Sequence, residues 1–180
     1  MNFPRILKKR KGYIDRIKPF MQKSVAKVLT GQRRVGKSFL LYQLIEEILA
    51  EEPDANIIYV NLEDFTFSSL QTAEDLHSYI ISHSKEKVKN YIFIDEIQDI
   101  PGFEKVIRSL LLNEDNDIYI TGSNAKMLSG ELATYLSGRY IEFKIYSLSY
   151  SEFLEFHGLT ESETSYELYS RYGGLPYLLN

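Results

Sequence analysis

A chain of 180 residues, 44% hydrophobic and 26% charged, is long enough for one α/β domain with a substantial core and too short for two ordinary ones. It has no cysteine, which excludes a disulfide framework and a Cys-ligated zinc site; His77, His83 and His157 lack the close spacing of a metal-binding helix, so a metal is expected on oxygen ligands. The net charge of -4 is uneven: residues 1–40 hold 12 of the 21 Lys and Arg with one acid, Asp15, leaving nine bases against 24 acids. A solvated helix plus a phosphate site accounts for much of that basic head, and a nucleic-acid contact is the other reading. No apolar run approaches the roughly 18 residues of a membrane helix, and the N-terminus is too basic and broken for a signal peptide. The expectation is a cytoplasmic protein without a membrane segment.

In chain order, Ile6, Leu7, Tyr13, Ile14, Ile17, Phe20 and Met21 recur at helical spacing, weakened at Gly12 and limited by Pro19. Val25–Leu29 is a short apolar, β-branched run ending at Thr30-Gly31, and from Ser38 the pattern turns helical, with Leu41, Leu44, Ile45, Ile48 and Leu49 on one face. After Pro53, Ile57–Leu62 reads as a buried strand, and Leu76, Tyr79, Ile80 and His83 predict a helix from near Thr72. Tyr91–Ile94 is a third strand; Phe103, Val106, Ile107, Leu110 and Leu111 form a helical face, and Ile118–Thr121 is a fourth strand. Met127–Leu136 predicts another helix, Ile141, Phe143 and Ile145 a partly exposed fifth strand, and Ser151–Phe156 and Glu163–Tyr172 two more helices. Strands alternating with long helices predict a parallel sheet covered on both faces, because each crossover must return to the same edge.

Gly31-Gln32-Arg33-Arg34-Val35-Gly36-Lys37-Ser38, continuing into Phe39, fits G-x-x-x-x-G-K-[ST] at every fixed position, between a predicted strand and a predicted helix. The glycines let backbone N–H groups converge on phosphates, Lys37 reaches the β- and γ-phosphates, Ser38 binds Mg²⁺, and the helix N-terminus favours the negative charge. ATP or ADP with Mg²⁺ is the expected ligand. Tyr91-Ile92-Phe93-Ile94-Asp95-Glu96 is an apolar strand ending in two carboxylates. Asp95 is suited to the Mg²⁺ shell, and Glu96 to orienting and deprotonating the water that attacks the γ-phosphate. Ser123 and Asn124, after a fourth strand, are suited either to sensing the γ-phosphate or to capping the next helix. Arg139, just before the fifth strand, is either a cation for transition-state charge, in its own or a neighbour's site, or a surface ion-pair partner.

Together GQRRVGKS, YIFIDEIQDI, ITGSN, LSGRY, LSYSEF and the terminal GGLP resemble the bacterial and archaeal AAA-type ATPases near the archaeal-ATPase and STAND branch, over nearly the whole chain. The resemblance implies an α/β P-loop NTPase fold of the ASCE type, a five-stranded parallel sheet in the order 5-1-4-3-2 with helices on both faces. It implies a Walker B pair at Asp95 and Glu96, a polar sensor at Ser123 or Asn124, and Arg139 as phosphate sensor or finger, acting in its own site or, in a homo-oligomer, in a neighbour's. It divides the chain into a basic helical segment at 1–23, an ATPase core at 24–146 and the start of a winged-helix-like region at 147–180. In similar proteins a further domain follows the GGLP turn, so one is expected after Asn180. Ser147-Leu148-Ser149 departs from relatives that carry proline there.

A GTPase would need an Asn-Lys-x-Asp base reader, and Asn124-Ala125-Lys126-Met127 lacks the aspartate. A small-molecule kinase would need an acceptor pocket and an arginine-bearing lid. The serious rival is a nucleotide-gated switch that binds ATP and turns over rarely.

Overall fold

The computed structural model describes residues 8–123 and 135–176. The first helix, α1, covers only Lys11–Ile17, and Pro19 sits in the 3₁₀ turn Lys18–Phe20 that ends it. The predicted helical face begins too early at Ile6 and Leu7, which lie outside the described residues, and residues 8–10 are not helical. That segment is held on the next helix instead, where the Gln43 amide accepts from Arg10 N at 2.9 Å and donates to Lys8 O at 2.9 Å.

Five strands follow: β1 (Ala26–Thr30), β2 (Asn56–Asn61), β3 (Asn90–Asp95), β4 (Asn116–Gly122) and β5 (Tyr140–Lys144). Helices α2 (Lys37–Glu51), α3 (Ala73–His83) and α4 (Phe103–Leu110) lie between them, and α5 (Tyr150–His157) and α6 (Glu163–Tyr172) follow β5. Every pairing is parallel and the order is β2-β3-β4-β1-β5, the order the resemblance implies. The predicted helix from Met127 lies largely outside the described residues. Thr72 starts α3 as expected, accepting from Asp75 N while the Asp75 carboxylate accepts from Thr72 N, so two otherwise orphaned donors are satisfied.

Alternation along the strands sorts side chains between two cores. Ile92, Ile94, Ile118 and Ile120 pack with Leu76, Ile80, Val106 and Ile107 of α3 and α4 on one face. Tyr91, Phe93 and Tyr119 face Leu41, Leu44, Ile45 and Ile48 of α2 on the other, with Ile14 and Ile17 of α1. The rings of Phe93 and Tyr119 stack across β3 and β4 at 4.5 Å. Each fully buried Leu, Ile or Phe contributes about 1.5–3 kcal/mol, so these two faces hold the sheet between its helices.

Because all strands run the same way, their carboxyl ends share one edge, and the turns after β1, β3 and β4 converge there. Among the described residues no helix is long and apolar enough to cross a membrane.

Candidate functional site

The site is built where β1 ends and α2 begins. A Cβ on Gly31 would lie 2.3 Å from the Ile145 carbonyl oxygen, so only glycine lets the chain leave β1 this close to the exit of β5. The loop then bends through two left-handed residues, Arg34 (φ +68°) and Gly36 (φ +95°), and Gly36 caps α2. The first turn of α2 presents the open N–H groups and positive dipole end to the same edge. Gln32, Arg33 and Arg34 are exposed, Val35 is buried in the α2 core, and Phe39 is half exposed with its ring on Tyr42.

Lys37 is buried at the start of α2, and its ammonium donates to the loop carbonyls of Gly31 and Gln32 at 3.1 and 3.2 Å. Its Nζ also lies 3.4 Å from Glu96 Oε1. The adjacent Asp95, at the end of β3, accepts from the Thr121 hydroxyl and from Tyr59 Oη at 3.4 Å, with the Ser38 hydroxyl beside it. Burial pushes the Asp95 carboxyl above its ordinary value; Glu96 adds to the rise, while Ser38, Thr121 and Lys37 oppose it. Burial and the Asp95 charge likewise raise the Tyr59 phenol far above its ordinary value.

Glu96 leaves the strand at φ +56°, a left-handed conformation that costs a non-glycine residue on the order of 1 kcal/mol. Three contacts hold it there: its N–H donates to Thr121 Oγ1 at 3.0 Å, its Oε2 accepts from Gln98 Nε2 at 2.6 Å, and its other oxygen faces Lys37. The Gln98 side-chain oxygen Oε1 accepts from Ser123 N at 3.3 Å, so Ser123 joins the cluster through its backbone. Asn124 lies outside the described residues.

Arg139 is not in this cluster. Its carbonyl accepts from Ala26 N, the first residue of β1, so it stands at the amino edge of the sheet. Five strand residues separate that edge from Gly31, roughly 16 Å at about 3.3 Å per residue. The Arg139 side chain is exposed.

Sequence reasoning brings Gly31, Lys37, Ser38, Asp95, Glu96 and Ser123 to one edge, and misses Thr121, Gln98 and Tyr59. Thr121 and Gln98 stand inside the motifs ITGSN and YIFIDEIQDI. Their one signal is a polar side chain next to an apolar strand, which is equally the mark of a strand end. Of the basic head, Arg10 is buried against Glu152, and Lys9 and Lys18 both pair with Glu47.

The chain is 41% identical, over 93% of its length, to an uncharacterised protein of Haemophilus influenzae, and spans 43% of that protein. It therefore covers less than half of this curated relative. In fold it is similar to Hsp104 of S. cerevisiae in its complex with casein, with a TM-score of 0.66 at 15% identity, over 96% of this chain and 36% of that one. It is similar also to AMPPCP-bound DnaA from Aquifex aeolicus, with a TM-score of 0.55 at 13% identity, over 92% of this chain and 57% of that one. The sequence pattern of the AAA domain family matches residues 23–154. This chain belongs to the AAA domain family, and its fold is that of the family's P-loop ATPases.

Proposed function

We propose that this chain binds ATP with Mg²⁺ at the loop 31–38 and hydrolyses it, and that nucleotide state sets the placement of α5, α6 and whatever the chain is joined to. The observation that carries the reading is the position of Lys37. A buried ammonium waits on loop carbonyls at a helix N-terminus, beside a hydroxyl–carboxylate pair and a second carboxylate. On this reading Lys37 exchanges the Gly31 and Gln32 carbonyls for β- and γ-phosphate oxygens, and the N–H groups of residues 31–39 cradle the rest.

Ser38 and Asp95 fit a magnesium ion, since a hydroxyl and a buried carboxylate, both hard oxygen donors, stand side by side at this edge. Among the described residues no group of three or more His, Cys, Asp or Glu could hold a metal alone. A Ser38 and Asp95 site would therefore share the ion with phosphate oxygens and water. Bound there, Mg²⁺ supplies neutralisation of charge on the phosphates.

Glu96 then takes the proton of the attacking water. While Lys37 faces it one carboxylate oxygen is engaged; once the γ-phosphate draws Lys37 away, that oxygen is open to a water, and Glu96 is held by Gln98 at its other oxygen and by the Thr121 hydroxyl at its N–H. On this reading Ser123, whose N–H is held by Gln98, reports the γ-phosphate, and Asn124 is proposed with it. Arg139 cannot reach across its own sheet, so a finger role assigns it to the site of a second copy. A nucleic-acid contact through the basic head would rest on exposed Lys11, Arg16 and Lys23, because Lys9, Arg10 and Lys18 already serve carboxylates.

A second reading, a switch that binds ATP with little turnover, is favoured by one observation: Glu96 is tied on both oxygens. Phosphate release from ATP decides between them. Glu96→Gln is expected to lose about 10²- to 10⁴-fold in turnover while retaining ATP affinity. A variant as fast as an active wild type would remove Glu96 as the base, and an inactive wild type that binds ATP would favour the switch.

A further inference from the structure

The basic run Lys8-Lys9-Arg10-Lys11 contains one residue that is not on the surface. Arg10 is 4% exposed. Its guanidinium grips the Glu152 carboxylate with two bonds, Nε to Oε1 at 2.8 Å and Nη2 to Oε2 at 3.0 Å. Nη1 donates to two carbonyls, Tyr146 O at 2.9 Å and Val35 O at 3.2 Å. Tyr13 stacks below at 4.5 Å, and its hydroxyl accepts from Tyr146 N at 3.1 Å. One buried cation thus touches the phosphate loop, the exit of β5 and the first turn of α5.

Each end of this contact is mechanically placed. Val35 lies between the left-handed Arg34 and Gly36, so the carbonyl that Arg10 holds belongs to the centre of the loop's bend. Rotating that peptide would turn N–H groups of the loop away from a phosphate. Glu152 also accepts from Ser149 N at 2.9 Å, closing the capping box of α5, so a shift of Arg10 acts on the start of that helix. From α5 the contact continues through the Phe153 and Tyr169 rings, 5.2 Å apart, to α6, and Tyr169 Oη donates to Leu148 O at 2.9 Å. Leu148 N in turn donates to Gly174 O at 2.7 Å, where a Cβ on Gly174 would lie 2.2 Å from the Leu148 carbonyl oxygen. The Gly173-Gly174 turn is seated on the far end of the same connected set.

We infer that Arg10 is a positioning residue that couples the conformation of the phosphate loop to the seating of α5 and α6, so that bound nucleotide and ordered C-terminal helices reinforce each other. The inference rests on the nucleotide-site reading above and adds its path. Only a planar fork can serve two carboxylate oxygens and two carbonyls at once, and a lysine ammonium, a point charge with three donors, cannot reproduce this. Coupling between sites is reciprocal: whatever the helices contribute to ATP affinity, ATP contributes to their order.

The test pairs calorimetry of ATP·Mg²⁺ with hydrogen exchange of α5 and α6, with and without ATP·Mg²⁺, in wild type, Arg10→Lys and Glu152→Gln. Wild type is expected to gain protection across 150–172 when nucleotide binds. Arg10→Lys, folded by circular dichroism, should bind ATP·Mg²⁺ roughly 5- to 150-fold more weakly and lose that gain. Glu152→Gln leaves the Arg10 bond to Val35 in place but cuts the link to α5, so by the same reciprocity it should lose the gain in protection together with the share of ATP affinity that the helices supply; it also serves if Arg10→Lys does not fold. A wild type that binds ATP·Mg²⁺ with no change in α5 and α6 would overturn the coupling alone, as would variants that are less stable but keep the full gain. A wild type that does not bind ATP·Mg²⁺ would overturn the site reading and the coupling with it.

Discussion

Two buried lysines on the α2 side of the molecule each face a carboxylate, at opposite edges of the sheet. At the amino edge Lys27 and Asp117 are both 0% exposed and bonded to each other. Every neighbour completes the pair: Lys27 also donates to Val25 O at 2.9 Å, Asp117 accepts from Tyr119 Oη at 2.8 Å and Gln22 N at 2.8 Å, and the Tyr119 ring lies 4.7 Å from the ammonium. At the carboxyl edge Lys37 and Glu96 stand 3.4 Å apart, with Lys37 on loop carbonyls and Glu96 on a strained backbone. A lysine and a carboxylate make a closed structural ion pair in one place and, on the proposed reading, an exchangeable one in the other. What differs is whether the remaining hydrogen bonds come from fixed strand ends or from a loop that, on that reading, hands its lysine to a ligand.

The largest effect expected from breaking this contrast concerns Arg139, which shares the amino edge with Lys27. If that edge completes a neighbour's site, Arg139→Ala should cost about 10³- to 10⁵-fold in turnover. The wild-type rate per molecule should then rise with protein concentration, and that rise should vanish in the variant. A rate untouched by the substitution returns Arg139 to the surface, and the amino edge is then purely structural.

Lys27→Ala comes next. It leaves Asp117 buried without its partner and should cost about 3–5 kcal/mol in denaturant unfolding, while ATP affinity of the folded chain is unchanged. Burial already pulls the Lys27 ammonium below its ordinary value against the attraction of Asp117, so the pair stands only as a whole. A loss of less than about 1 kcal/mol, the range of a surface pair, would contradict the contrast.

The smallest expected effect is a pH dependence at Glu152. Partial burial works against its charged form, but hydrogen bonds from Arg10 and Ser149 outweigh this and hold the carboxyl below its ordinary value of 4.5. A carboxyl lowered in the folded state adds stability that is present above the unfolded value and is lost as pH falls through the folded one. Wild type should therefore lose stability more steeply than Glu152→Gln below about pH 4.5, and equal slopes would place the Arg10 contact outside the folding balance.

The two edges also differ in how much of them can be read from residues in order. The loop 31–38 is legible because phosphate binding needs glycines and a lysine at fixed spacing within one short segment. The strands are legible because sheets covered on both faces select continuous apolar runs such as Tyr91–Ile94 and Ile118–Thr121. Strand order came from resemblance alone, since periodicity carries no information on which strand neighbours which. Lys27 reads as an ordinary strand charge, and its burial depends on Asp117, 90 residues away. Arg10 reads as one member of a solvated run, and only a carboxylate 142 residues later makes it internal. Charge burial is decided by partners distant in sequence, which no local pattern reports.

Calorimetric titration of ATP·Mg²⁺ into wild type and Lys37→Ala tests the central assignment most directly, because it asks whether the carboxyl-edge lysine is the one that changes partner. The wild-type chain is expected to bind ATP·Mg²⁺ at one site and to prefer it to GTP, and Lys37→Ala, still folded, should show no binding. Undiminished binding by Lys37→Ala, or equal or tighter binding of GTP by wild type, would contradict the account.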